Sequence, residues 1–420
     1  MNMKIIKVEH IRALLAHWPG VGRTQRRLLS EYDPKLLETA VRRAIRDVPF
    51  YKDYDQYISD GTFDITRFPI IRKPDIKGHT KELVSRKVPK FMRALKRTSG
   101  STGIPLDVYY SPRLFIEKDL IVQHLFGLFG KKQRIALLRD HTSTGNIVES
   151  TGSKHWLLSP YFLSSENLDK YLDLLRKLRI NVLHVYPSAI TILARLIKNK
   201  YGVCPVKGIC GIFASSESFD KDDKRLVMEV FNEARLIDGY GHNEMACFAS
   251  AEGLNNFHFY MNFGFVEFLP TGDTLPNGNI ICEVIATSIL NRTMPLIRYG
   301  TRDCVEMDKD GNIVSIYGRS SDFVITKQGD IVPCLFLTRP SSTLNIINRQ
   351  YYQPEPGRLI TRVVVNDKYT EADRISMLED MQRSFKDKMD CDVVIVPTIE
   401  LGGRSKQKRL VQDVDIQQYR

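Results

Sequence analysis

The chain has 420 residues, 43% of them hydrophobic and 26% charged, which is ordinary for a soluble globular protein with room for two or three domains. A formal net charge of +12 favours anionic partners, but the basic residues are dispersed (Arg42-Arg43, Lys131-Lys132, Arg176-Lys177, Arg404 to Arg409). They form no aromatic–basic track for single-stranded nucleic acid, which leaves solvated surface charge and anionic small molecules. No window approaches the roughly 18 uncharged apolar residues of a membrane span, and Lys4, Lys7, Glu9 and Arg12 interrupt the N-terminus where a signal peptide would be apolar.

A cytoplasmic location is therefore expected. The seven cysteines (Cys204, Cys210, Cys247, Cys282, Cys304, Cys334, Cys391) are odd in number and show no paired spacing, which fits reduced thiols. His242, Cys247 and His258 lie close together, but without a C-x-x-C pair they make a poor zinc motif.

Residues 1 to about 90 read as mainly helical. In Leu36 to Val48, Leu36, Ala40, Val41, Ala44, Ile45 and Val48 form an apolar stripe with arginines opposite. Phe68 to Ile76 (FPIIRKPDI) is bounded by prolines and is expected to dock on a core. Next comes Arg97-Thr98-Ser99-Gly100-Ser101-Thr102-Gly103-Ile104-Pro105-Leu106. Its small and hydroxyl residues cannot make a core face. They can line a turn whose N–H groups and hydroxyls suit phosphate oxygens. It is no Walker loop, since no Gly-Lys-Ser/Thr closes it.

An αβ alternation follows, with helices at 112–129, 168–178, 187–200 and 221–231 and strands at 134–138, 182–186, 208–214 and 236–241. That rhythm predicts a parallel or mixed sheet with helices on both faces, and ligands at the strand ends. From about 257 the texture is β-rich, with strands at 263–269 and 279–287, a Leu275-Pro276-Asn277-Gly278 turn and a hairpin over 305–314. A strand at 359–365, a helix at 371–388 and a strand at 392–396 then predict a small α+β domain.

Four further stretches join the hydroxyl-rich loop: Asp238-Gly239-Tyr240-Gly241-His242-Asn243-Glu244; Pro295-Leu296-Ile297-Arg298-Tyr299-Gly300-Thr301-Arg302-Asp303; Tyr317-Gly318-Arg319-Ser320-Ser321-Asp322 running on to Pro333; and Gly402-Gly403-Arg404-Ser405-Lys406-Gln407-Lys408-Arg409. In order and spacing they resemble the signature segments of the adenylate-forming (ANL) superfamily, most of all its phenylacetate–coenzyme A ligase and CapK-like branch. The resemblance covers about residue 50 to the C-terminus. It implies an α/β fold: a large multi-sheet N-terminal domain over 1–318, with helices packed on mixed β-sheets, and a small, mobile α+β domain over 319–420.

The resemblance also implies chemistry in two halves. A carboxylate attacks the α-phosphate of ATP to give acyl-AMP and pyrophosphate, and a thiol or amine, in the leading reading the thiol of coenzyme A, then displaces AMP. Thr98, Ser99, Gly100, Ser101, Thr102 and Gly103 would hold the β- and γ-phosphates. Glu244, helped by the Thr102 hydroxyl, would bind Mg2+. Tyr240 would stack on adenine between Gly239 and Gly241, Ser216 and Glu217 would complete the nucleotide set, and Asp303 would accept from the ribose hydroxyls. Arg319 would reach the ribose or α-phosphate. Lys406 would neutralise the α-phosphate and leave as the small domain rotates.

An apolar acid pocket is expected from residues 186–190, 213–217 and 245–250. Three departures from the family pattern bear on the site: Ile104 stands where many members carry Lys, which removes one phosphate contact, Ser320-Ser321-Asp322 where two adjacent acidic residues are common, which leaves the hinge role to Asp322, and Ser405 where Gly is usual. Lys408 also competes with Lys406 for its role.

Two other functions stay open on the sequence. One is adenylation with transfer to an amine or hydroxyl of a sugar or amino acid in surface-polysaccharide biosynthesis. The other is a nucleotide-binding scaffold without turnover. The sequence leaves the acid's identity and the oligomeric state open.

Overall fold

The computed structural model describes residues 20–58, 60–97, 106–130, 132–139, 146–152, 154–275, 277–319, 323–333, 345–399, 407–408 and 410–414. These fall into two compact units. The first is drawn from Met1–Leu128, Tyr240–Ser250 and Phe257–Ile313, and the second from Phe129–Gly239, Ala251–Asn256 and Val314–Arg420.

In the first unit the expected amphipathic helix spans Pro34–Asp47. Asp33 caps it, its carboxylate accepting from the Lys35 amide at 3.0 Å, and Pro34 supplies a preset first turn. Leu37, Ala40, Val41, Ala44 and Ile45 recur at helical spacing and are buried. Antiparallel strands Gly264–Thr274, Ile280–Ser288 and Tyr299–Met307 form a meander in which Val266 faces Ala286 and Cys282 faces Val305.

The proline-bounded segment docks as expected, with Phe68, Ile71 and Ile76 buried. Ile71 bridges Tyr299 in parallel, its amide donating to the Arg298 carbonyl at 3.1 Å while the Gly300 amide donates back at 2.9 Å. The strands flanking the hydroxyl-rich loop, Ala94–Arg97 and Asp107–Tyr110, pair antiparallel with Arg97 opposite Asp107.

The second unit contains the predicted alternation. Strands Ile135–Leu138, Val182–Val185 and Gly211–Ser215 run parallel and adjacent, followed by Arg235 to Gly239, and helices Leu168–Lys177, Pro187–Tyr201 and Lys221–Val230 pack on them. Two strands the sequence reading leaves unassigned, Val148–Gly152 and His155–Leu158, extend the far edge. In the C-terminal part, strands Ile346–Gln353 and Arg358–Val365 pair antiparallel. They are flanked in parallel by Leu410–Gln412 and Asp390–Ile395 respectively. The Glu371–Phe385 helix buries Met377, Met381 and Phe385. The fold class is thus mixed α/β with several sheets and an α+β C-terminal part.

Candidate active site

In the first unit the chain beyond Gly239 meets the 299–303 segment. Tyr240 donates its hydroxyl to Asp303 Oδ2 at 2.7 Å, joining two signature motifs 63 positions apart. Burial and then the Asp303 carboxylate push the phenol well above its usual pKa, so it stays a neutral donor. Gly241 sits in tight space, because a Cβ there would lie 3.1 Å from the Phe248 ring and the ring would have to shift. The Tyr110 hydroxyl donates to the Asn243 carbonyl and fastens the turn that follows.

That turn carries Glu244, which is 3% exposed and lies outside any helix. Its carboxylate is 3.6 Å from Lys73 Nζ, 3.3 Å from His242 Nδ1 and 3.4 Å from the Tyr299 hydroxyl. Burial alone would raise the Glu244 pKa, but His242 and Lys73 outweigh it and bring it down to about 2. Burial likewise opposes charge on His242, yet the Cys247 sulfur, 3.3 Å from Nε2, and Glu244 push its pKa up to about 10. The turn therefore presents an ionised carboxylate flanked by two cations.

Lys73 is placed by its neighbours. Arg72 makes a two-pronged pair with Glu283 at 2.6 and 2.8 Å, and Asp75 accepts from the Arg72 amide at 2.7 Å. Arg298 is a structural pin. Its φ of 46° lies in the left-handed region, and its guanidinium is taken up by Glu267 at 2.8 and 3.0 Å and by the Thr66 and Phe68 carbonyls.

In the second unit, Ser216 and Glu217 follow the Gly211–Ser215 strand. Ser216 has a φ of 78° and accepts from Arg139 Nη2 at 3.0 Å. Glu217 accepts from the Ser188 amide at 3.0 Å and from the Gln407 amide at 3.3 Å. The Glu217–Gln407 bond ties a carboxylate at the strand end to the backbone of the residue beside Lys406. A Cβ on Gly239 would lie 2.8 Å from the Phe213 ring. The preceding Asp238 pairs with buried Lys224 at 2.8 Å, although burial still raises its pKa.

The structure thus brings Tyr240, Gly241, Glu244 and Asp303 together in the first unit, and Ser216, Glu217 and Gly239 lie in the second. Thr98, Ser99, Gly100, Ser101, Thr102, Gly103 and Lys406 lie outside the described residues, and Arg319 is described only as the backbone end of the Ile313–Arg319 strand. Of the stretches expected to line the acid pocket, 186–190 and 213–217 belong to the second unit and 245–250 to the first. His258 packs edge-on against Tyr260 at 4.9 Å, and Cys247 contacts His242. The sequence reading missed Lys73 and Arg139. Lys73 was signalled by a basic pair inside a docked proline-bounded segment, and Arg139 by a cation directly after an apolar strand run.

No family model matches the sequence. Protein CapK of Staphylococcus aureus is 23% identical over 352 residues, covering 77% of this chain and 74% of that protein. The phenylacetate-coenzyme A ligase of Pseudomonas putida is 24% identical over 334 residues, covering 73% of this chain and 74% of the other. Among solved structures, a 2-hydroxyisobutyryl-CoA ligase in the postadenylation state, in complex with R3-HIB-AMP, superimposes with a TM-score of 0.66 at 14% identity. That match covers 96% of this chain and 93% of the ligase.

The fold is that of the adenylate-forming ligases. By sequence the chain is similar to CapK and to the phenylacetate–coenzyme A ligases.

Proposed function

We propose that this protein activates a carboxylic acid with ATP, forming acyl-AMP and releasing pyrophosphate, and then transfers the acyl group to coenzyme A. The observation that carries this reading is the 2.7 Å bond between Tyr240 and Asp303 beside the Glu244 turn. It joins, in one unit, residues that the resemblance assigns to adenine and ribose, next to the one it assigns to metal. The names of the relatives support the same chemistry, since two phenylacetate-coenzyme A ligases are among them and the solved ligase was captured with an acyl-AMP.

Among the described residues no cluster of three or more His, Cys, Asp or Glu side chains is arranged to hold a metal. Magnesium would arrive on the triphosphate and take few protein oxygens, from Glu244 and the Thr102 hydroxyl. Glu244, ionised at any working pH, fits that part. Bound there, magnesium would offset phosphate charge.

The chain's own residues do the rest. Tyr240 offers its ring to the base, Asp303 accepts from the ribose, and the Thr98–Gly103 N–H and hydroxyl groups hold the phosphate tail. Arg319 and Lys406 bring positive charge to the α-phosphate side. Residues 319–420 form the mobile domain on 1–318, and its rotation withdraws Lys406 before coenzyme A enters. The Glu217–Gln407 bond fits the first half-reaction, in which Lys406 must be held in place.

The test is pyrophosphate release from ATP over a panel of acids, followed by addition of coenzyme A, amines or sugars. Consumption of the adenylate by coenzyme A supports the reading. Consumption only by an amine or hydroxyl replaces its second half. ATP binding with no pyrophosphate from any acid refutes it in favour of a scaffold.

A further inference from the structure

We propose that the acid activated by this protein carries a second carboxylate, and that Arg139 binds it. This rests on the proposed function and names its substrate class.

The placement follows from the sheet. Leu138 pairs with Val185 and Val185 with Ala214 in parallel register. Arg139, Tyr186 and Ser216 therefore follow the carboxyl ends of three adjacent strands, the edge at which open α/β sheets hold ligands. Arg139 is held there from three sides. Its guanidinium lies 5.0 Å over the Tyr186 ring, Nη2 donates to Ser216 Oγ at 3.0 Å, and Nη1 donates to His184 Nε2.

His184 can accept because it stays neutral: burial, then the charges of Arg139 and His155, push its pKa well below the usual value. Ser216 presents its hydroxyl from a left-handed backbone conformation that costs strain in a residue other than glycine. A strained serine and a neutral histidine thus hold one cation in place.

That cation is used differently from a structural arginine. Arg298 spends its fork on a carboxylate and two carbonyls. Among the described residues no carboxylate lies within ion-pair distance of Arg139. Among the described residues on this edge, Glu217 accepts from the backbone amides of Ser188 and Gln407. A half-exposed guanidinium held at a ligand-binding edge is a receptor for a planar anion, because its fork matches a carboxylate at two points. The acid pocket is accordingly polar on this side, against the apolar pocket expected from its Met, Ala and Phe content.

The experiment uses shape-matched pairs: butyrate and succinate, benzoate and phthalate, phenylacetate and homophthalate. Pyrophosphate release gives kcat/KM for each acid, and thermal shift gives binding without turnover. In the wild type at least one dicarboxylate should exceed its partner. Arg139→Gln should reduce that preference about 10- to 100-fold, Arg139→Lys should restore part of it, and the KM for ATP should stay within about twofold.

Monocarboxylate preference in every pair, unchanged by Arg139→Gln, overturns the inference. So does an Arg139→Gln effect confined to ATP or coenzyme A. If no acid releases pyrophosphate, the proposed function falls and thermal shift decides the inference. Dicarboxylates must then stabilise the wild type but not Arg139→Gln, and the absence of that difference overturns it. Unfolding curves of both variants control for folding.

Discussion

Asp303→Ala separates holding a tyrosine from holding a nucleotide. Asp303 is 8% exposed and accepts the Tyr240 hydroxyl at 2.7 Å. Removing the carboxylate leaves a buried phenol without that acceptor, a cost of about 1–3 kcal/mol in stability. If Asp303 also accepts from the ribose, the variant loses a charge-assisted bond of about 1.5–3 kcal/mol, weakening ATP about 10- to 150-fold. Tyr240→Phe supplies the control, since it keeps the ring, removes the donor and leaves the carboxylate in place.

Chemical denaturation and calorimetric titration with α,β-methylene-ATP measure the two effects. Stability losses of Asp303→Ala and Tyr240→Phe should be less than additive in the double variant. The loss of ATP affinity caused by Asp303→Ala should persist in the Tyr240→Phe background. Binding by Asp303→Ala within about twofold of wild type, or loss of its effect once Tyr240 is Phe, would refute the reasoning.

The remaining predictions concern charge and the half-reactions. The His242 pKa is raised to about 10 in the fold, so its stabilising contribution is complete below the unfolded value of about 6.5 and is lost as pH rises through about 10. The urea midpoint of the wild type should fall over that window and that of His242→Gln should fall less; equal slopes would contradict the pairing with Cys247 and Glu244. Glu217→Ala, which releases the Gln407 amide, should slow pyrophosphate release but leave thioester formation from synthetic acyl-AMP unchanged. Equal loss in both halves would make Glu217 merely structural. Lys406→Ala should lower adenylation by several orders of magnitude, and a loss below about tenfold, roughly 1.4 kcal/mol, would remove its assigned role.

The αβ alternation was legible because each element carries its own period. The Pro187–Tyr201 and Lys221–Val230 helices begin and end within a residue or so of their apolar patterns. The Val148–Gly152 strand was hidden by composition: Glu149, Ser150, Thr151 and Gly152 show no apolar alternation, and pairing to His155–Leu158 makes the strand. Leu410–Gln412 is likewise too short to announce itself and exists by its parallel pairing with Ile346–Gln353.

At the site, motif order pointed to Tyr240, Glu244 and Asp303, but no spacing rule predicts that the Tyr240 hydroxyl is spent on Asp303. Lys73 and Arg139 each carry only a local signal, a basic pair in a proline-bounded segment and a cation after an apolar run, and long-range packing makes them site residues, Lys73 through the Ile71–Tyr299 bridge and Arg139 through strand register. Charge in a sequence does not say which cation ends at a strand edge.

Hydrogen–deuterium exchange with and without α,β-methylene-ATP and magnesium tests the central claim most directly, because it reads backbone protection without requiring turnover. One bound nucleotide should slow exchange together in peptides covering residues 98–103, 239–244 and 299–303. Protection confined to other segments, or ATP binding that leaves these three unchanged, would contradict the account.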